Sequence, residues 1–146
     1  MCAAKISEIK VCELCPPPPS QAGTKPLRDK SWLWAPQQAT PMDKFPPASR
    51  GAARPGGVIW VKVIADDGTF GLGRTDSGKV TQPLIEECLA PLVIGQEVGA
   101  IDLCNDRMWR GTLSFGNEGL TARAVAAVDL ALWDLWGKRL DQPVYR

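Results

Sequence analysis

Apolar residues recur along this chain with two periods: close to two in the strand-like segments, and between three and four in the C-terminal half. Residues 5–14, KISEIKVCEL, set Ile6, Ile9, Val11 and Leu14 among polar neighbours in a loose alternation that predicts a first strand. VIWVKVIA, residues 58–65, is a β-branched run; Asp66, Asp67 and Gly68 supply a tight turn, and TFGLGRT returns, which predicts an antiparallel hairpin. Three helical patterns follow. The first covers about 81–90, with Thr81 as N-cap, Pro83 in the first turn and a buried stripe of Leu84, Ile85, Cys88 and Leu89. The second covers about 101–112 with Ile101, Cys104, Met108 and Trp109 on one side. The third, about 120–138, is apolar nearly all round and must be covered from more than one direction, which two shorter helices cannot do alone.

Between the first strand and the hairpin the texture is different. Some forty residues, CPPPPSQAGTKPLRDKSWLWAPQQATPMDKFPPASRGAARPGG, hold most of the 13 prolines. A connection that long is usually functional or disordered. Trp32, Trp34, Met42 and Phe45 interleave there with Arg28, Lys44, Arg50 and Arg54, a mixture able to close over a small anionic ligand. A Pro-rich disordered insert is the other reading of the same composition.

With 146 residues, 45% of them hydrophobic and six of them Trp, the chain has material for one domain with a real core. Seventeen Lys and Arg against 16 acidic residues leave a net charge of +1, so there is no electrostatic case for nucleic acid or an anionic membrane. No apolar run reaches the roughly 18 to 20 residues of a membrane span, and MCAAKISEIK lacks the apolar core of a signal peptide; the expected location is cytoplasmic. The absence of histidine removes the commonest general base and the commonest transition-metal ligand. Cys2, Cys12, Cys15, Cys88 and Cys104 make no disulfide framework. Cys12 and Cys15 have the CxxC spacing of a redox or zinc site, but no second pair completes a metal set, and the two read as incidental thiols.

Two motifs invite chemistry. GRTDSGK, residues 73–79, has the GxxxxGK spacing of a phosphate-binding loop, yet Val80 stands where Ser or Thr should hold Mg²⁺, and the preceding strand belongs to a hairpin rather than a parallel βαβ unit. It reads as a turn joining hairpin to helix. VDLALWDLWGK, residues 128–138, places Asp129 and Asp134 in an apolar run, as an acid/base pair would. Five residues at about 100° each leave their side chains roughly 140° apart on a helix, so they do not face each other. Asp134 instead precedes Lys138 by four residues, the favourable order for a surface ion pair.

The same run also carries a family resemblance. AVAAVDLALWDLWGKRLDQPVY, from Ala124, resembles the signature of the mandelate racemase/muconate lactonizing group of the enolase superfamily in Ala124, Ala126, Ala127, Asp129, Ala131, Leu132, Asp134, Gly137, Lys138 and Pro143. DDGTFGLG, LAPLVIGQEV and GLTARA agree in order. The resemblance implies an α+β capping domain, a three-stranded antiparallel sheet followed by a helical bundle, over residues 1–142, with 15–57 as its long substrate-capping loop. It further implies that Asp129 and Asp134 lie where the bundle meets a partner domain, and that residues 143–146 begin the link to a (β/α)₇β barrel that lies outside this sequence.

ATPMDKF and the Ala48–Arg50 triplet look most like L-rhamnonate dehydratases and related acid-sugar dehydratases. By that resemblance Arg50 binds substrate, and Trp32, Trp34, Met42 and Phe45 belong to the loop that caps the active site. Those enzymes carry a substrate-contacting His farther up the loop; QAGTKPLRDK has none, so the resemblance implies an acid sugar or related hydroxy acid rather than rhamnonate in particular. In the family the barrel holds Mg²⁺ on strand-end carboxylates and carries the Lys or His bases. No catalytic or metal-binding residue and no cofactor is therefore expected on this chain alone, which should be inactive by itself and work with a barrel in cis or in trans. A fragment, a truncated gene product and a piece that pairs with a separate barrel all fit, as does a stand-alone small-molecule-binding or interaction module reusing the capping fold. Without the barrel, Trp133, Trp136 and neighbouring Leu side chains of the third helix should be uncovered, which favours homo-oligomers.

Overall fold

The computed structural model describes residues 4–13, 58–75 and 78–146. Strand β1, Ile6–Glu13, pairs antiparallel with β2, Ile59–Ala65, and β2 pairs antiparallel with β3, Phe70–Thr75, in the order β1-β2-β3. The loose alternation of β1 has a specific cause. Ile6 lies opposite Ala65 but Glu8 lies opposite Ile64, so Ser7 is an extra residue in the strand, and its hydroxyl donates to the Ile64 carbonyl at 3.0 Å. A bulge of one residue turns the following side chains over. Ile6 and Ile9 thereby both reach the buried face, although they are three residues apart.

The hairpin follows its sequence signal. The Ala65 N–H donates to the Thr69 carbonyl at 2.8 Å, which closes a three-residue loop of Asp66, Asp67 and Gly68: Gly68 has φ +84°, the Gly68 N–H donates to the Ala65 carbonyl at 3.0 Å, and the Thr69 N–H donates to Asp67 Oδ1 at 2.9 Å. A left-handed third residue is what a three-residue hairpin loop needs. The hydrogen bonds from Thr69, together with Arg139, hold the Asp67 carboxyl below the usual carboxylate range.

Helix α1 spans residues 78–93 and changes pitch along its length: 3₁₀ over Gly78–Val80, α over Thr81–Pro83, π over Leu84–Leu89 and α again over Ala90–Val93. The helix is longer than the 81–90 read from the pattern, and Thr81 lies inside it. With no cap position to fill, its buried hydroxyl donates to the Gly78 carbonyl at 3.0 Å. The wide turn has a cause in Pro91, which has no N–H for the carbonyl four residues back and crowds it with its ring; just before it, Ala90 donates to Ile85, five residues back. Ile85 and Leu89 are buried while Leu84 and Cys88 are half-buried, so the expected stripe is narrower than four residues.

Helix α2 is Ile101–Gly111 and buries Ile101, Cys104 and Met108; Trp109, expected on the same side, is 48% exposed. One residue past Met108, it has rotated about 100° off the buried line. Helix α3, Leu120–Arg139, is covered from several directions, as its all-round apolarity required. It packs on β3 and β2, on α1 and on α2. Its small residues face the sheet, where Gly71 and Gly73 leave no side chain between strand and helix: a Cβ on Gly73 would overlap the Ala127 carbonyl oxygen, and one on Gly71 the Ala131 carbonyl oxygen. Val128, Leu132 and Leu135 complete the core with the inner face of the sheet, Val61 and Val63 above all. Of the two tryptophans expected to be uncovered, only Trp133 is, at 40% exposure; Trp136 packs against the core with its ring over Gly99, where a Cβ would come within 2.9 Å.

Candidate functional site

The substrate-loop residues Arg50, Trp32, Trp34, Met42 and Phe45 lie outside the described residues, as does Cys15. What the structure does place are the two aspartates and the glycine-rich stretch. Asp134 and Asp129 leave α3 toward different neighbours, as the helical spacing predicts. Asp134 Oδ2 accepts from Lys138 Nζ at 2.7 Å and from the backbone N–H of Leu72 on β3, also at 2.7 Å. Lys138 Nζ donates in addition to the Phe70 carbonyl at 3.2 Å and lies 4.9 Å from the centre of the Phe70 ring, which Lys62 approaches to 3.9 Å from β2. One residue further on, Arg139 pairs with Asp67 of the hairpin turn. The polar side of the last two turns of α3 is therefore bound to the hairpin.

Asp129 faces α2. Its Oδ1 accepts from Asn105 Nδ2 at 3.0 Å, and the two line a groove of about 310 Å³ together with Trp109, Asn117, Thr121 and Val125. A second hollow of about 320 Å³ lies at the C-terminal end of α3, between Asp134, Lys138, Asp141, Gln142 and Val144. Neither hollow assembles a nucleophile with a base. Among the described residues there is no group of three or more His, Cys, Asp or Glu side chains able to hold a metal ion. These residues do not fit Mg²⁺.

The phosphate-loop spacing also resolves into structure. Gly73 is a strand residue pressed on α3, and Gly78, with φ +63°, opens α1. Asp76 and Ser77 lie outside the described residues. Reading GLG as hairpin chemistry alone missed its role as the seat of α3; the usable signal was a Gly at every second position of a strand, which marks close backbone approach. Asn105, the partner of Asp129, carried no signal in the sequence, because its pairing depends on how α2 and α3 cross.

Five large apolar side chains stand out toward solvent from Leu130 onward: Leu130, Trp133, Leu140, Val144 and Tyr145, the last at 85% exposure. No helix among the described residues is long and apolar enough to cross a membrane.

Comparison with known proteins shows the chain's family. Residues 38–146 match the mandelate racemase/muconate lactonizing enzyme N-terminal domain. The L-rhamnonate dehydratase of Saccharopolyspora erythraea is 43% identical over 111 residues, covering 73% of this chain and 28% of that protein. The structure of a rhamnonate dehydratase from Gibberella zeae complexed with Mg is similar over the whole chain and 37% of its own, at 25% identity and a TM-score of 0.79. A mandelate racemase/muconate lactonizing protein from Paracoccus denitrificans, complexed with magnesium, is 39% identical over 60% of this chain and 24% of its own, with a TM-score of 0.57. The chain thus spans little more than a quarter of the length of curated relatives it matches. With its strand–hairpin–helix order, the GLG seat under α3 and the match over residues 38–146, the chain belongs to the mandelate racemase/muconate lactonizing enzyme N-terminal domain family of the enolase superfamily and is similar within it to L-rhamnonate dehydratases.

Proposed function

We propose that this chain is the substrate-capping part of a Mg²⁺-dependent acid-sugar dehydratase-like protein, with residues 1–142 as the cap, 15–57 as its specificity loop and 143–146 as the start of the link to a barrel. The observation that carries this reading is the 43% identity to an L-rhamnonate dehydratase of which the chain spans only 28%. The described residues supply a core, a hairpin latch and surfaces, and among them no set of ligands for a metal. Mg²⁺, held by barrel carboxylates, would supply the charge that stabilises the enediolate formed when a proton α to the substrate carboxylate is removed.

The chain's own share is recognition. Arg50 offers an always-charged planar fork to a carboxylate or hydroxyl of the substrate. Trp32, Trp34, Met42 and Phe45 furnish apolar cover that excludes water over the site. The partners that follow are an acid sugar or related hydroxy acid and a (β/α)₇β barrel, in cis or in trans. A net charge of +1 favours neither nucleic acid nor an anionic membrane, and the setting is cytoplasmic.

The test is reconstitution. The purified 146-residue chain is assayed against a panel of acid sugars with Mg²⁺, alone and then fused to or mixed with the barrel of the Saccharopolyspora erythraea enzyme freed of its own N-terminal domain. Dehydration only in the presence of the barrel, and above that of the barrel alone, is the expected result. Turnover by the chain alone after rigorous removal of host enzymes, or no gain on adding it to the barrel, overturns the reading.

A further inference from the structure

From the contacts between α3 and β3 we infer that Asp134 and Lys138 act together as a guard on the outer edge of β3, keeping that edge from pairing with the same edge of a second copy of this chain. In the order β1-β2-β3, β3 is the outer strand of the sheet among the described residues. An outer strand turns the backbone groups of every second residue away from its neighbour. The bond from Ala65 N–H to the Thr69 carbonyl fixes which ones: Thr69, Gly71 and Gly73 turn toward β2, and Phe70, Leu72 and Arg74 turn outward. Such a row is a template for another strand unless something covers it.

Here the cover comes from the helix. Because Gly71 and Gly73 let α3 lie against the backbone of β3, side chains on the flank of α3 reach past the strand to its outer edge. Asp134 takes the outward N–H of Leu72 at 2.7 Å, Lys138 takes the outward carbonyl of Phe70 at 3.2 Å, and the two side chains bind each other at 2.7 Å. A donor and an acceptor that an antiparallel partner strand needs are thus both occupied, by a fixed pair of opposite charges. The strand would otherwise invite pairing, since Phe70 and Leu72 are each 38% exposed on the sheet face away from the helices. The opposite edge of the sheet is blunted by other means. The start of β1 is paired with residues 95–98, through Ile6 N–H to the Gln96 carbonyl and Val98 N–H to the Ala4 carbonyl, both at 2.9 Å, and further along it carries the ion pair of Glu8 with Lys10. A two-fold axis would bring β3 against itself, so one unguarded edge suffices for a closed dimer.

The experiment compares the full chain with its Asp134→Ala/Lys138→Ala double variant over a concentration series, by sedimentation velocity and by amide hydrogen exchange read at Leu72. The expected result is an association constant raised by about tenfold or more, equivalent to about 1.4 kcal/mol, with the Leu72 amide fast to exchange when dilute and protected when concentrated. Adding Leu72→Pro, which an edge strand tolerates where its N–H points outward, should return association to the parent level. A folded double variant that associates no more than the parent, or that associates without protecting Leu72, overturns the inference. Should the double variant fail to fold, Lys138→Ala alone, which removes one half-exposed lysine, must show the same change at Leu72 in smaller measure; no change there also overturns it.

Discussion

Gly73 of β3 lies directly against Ala127 of α3, so close that a Cβ on the glycine would occupy the place of the Ala127 carbonyl oxygen. The obstacle is backbone on a rigid helix, which cannot swing away as a side chain can. Gly73→Ala should therefore cost more than about 3 kcal/mol, above the usual range for overpacking. Gly68→Ala meets no atom within 4 Å and is strained only by its left-handed φ of +84°, so it should cost about 1 to 2 kcal/mol. Urea midpoints of the two variants check the order; a Gly73→Ala chain as stable as Gly68→Ala would mean that α3 does not rest on the strand.

The cysteines should react in order of burial. Cys104 is fully buried on the core side of α2, and burial pushes its thiol pKa up, whereas Cys12 is exposed on β1. Since the thiolate is the attacking form, Cys104 should resist a maleimide until the chain unfolds, while Cys12 is labelled in the native state. Peptide mapping by mass spectrometry after timed labelling reads both. Labelling of Cys104 as fast as Cys12 under native conditions would show that α2 opens readily.

Leu130 and Trp133, three residues apart on α3, share an outward line that no other described element covers. An exposed apolar patch of more than about a few hundred Å² drives association. The isolated chain should bind a hydrophobic dye and self-associate, and Leu130→Gln with Trp133→Gln should reduce both. Trp136→Gln belongs to a different class: its ring packs over Gly99, so it should destabilise the fold rather than quiet the surface. Dye fluorescence set beside thermal melting separates the two outcomes.

Arg50 is tested in the reconstituted protein. If its guanidinium reaches the substrate, Arg50→Ala should weaken binding by about 1.5 to 3 kcal/mol, the range for a hydrogen bond to a charged group. Because the proton-abstracting groups are untouched, KM should rise by about tenfold or more with a smaller fall in kcat. Arg54→Ala should change little. Equal kinetics for Arg50→Ala and the parent would assign Arg50 to solvent.

Local pattern alone was enough for the elements that local physics controls. Asp66, Asp67 and Gly68 marked the hairpin because a three-residue turn needs a left-handed glycine in place. The spacing of Asp129 and Asp134 excluded a carboxylate pair, because helical geometry does not depend on what surrounds the helix. The signature from Ala124 to Pro143 identified the family. Other features needed the chain to be folded. The bulge at Ser7 is a register choice between β1 and β2, made where both Ile6 and Ile9 gain burial. Trp133 and Trp136 are alike in sequence, and only the folded chain, which brings Gly99 against the Trp136 ring, decides that Trp136 is covered and Trp133 is not. Asp134 read as half of a surface ion pair; that it also holds the amide of Leu72 follows from the glycines that let α3 settle on β3. Spacing along the chain sets the direction in which a side chain leaves its own element, but the partner it meets there, sixty residues away in sequence, is chosen by how the elements pack.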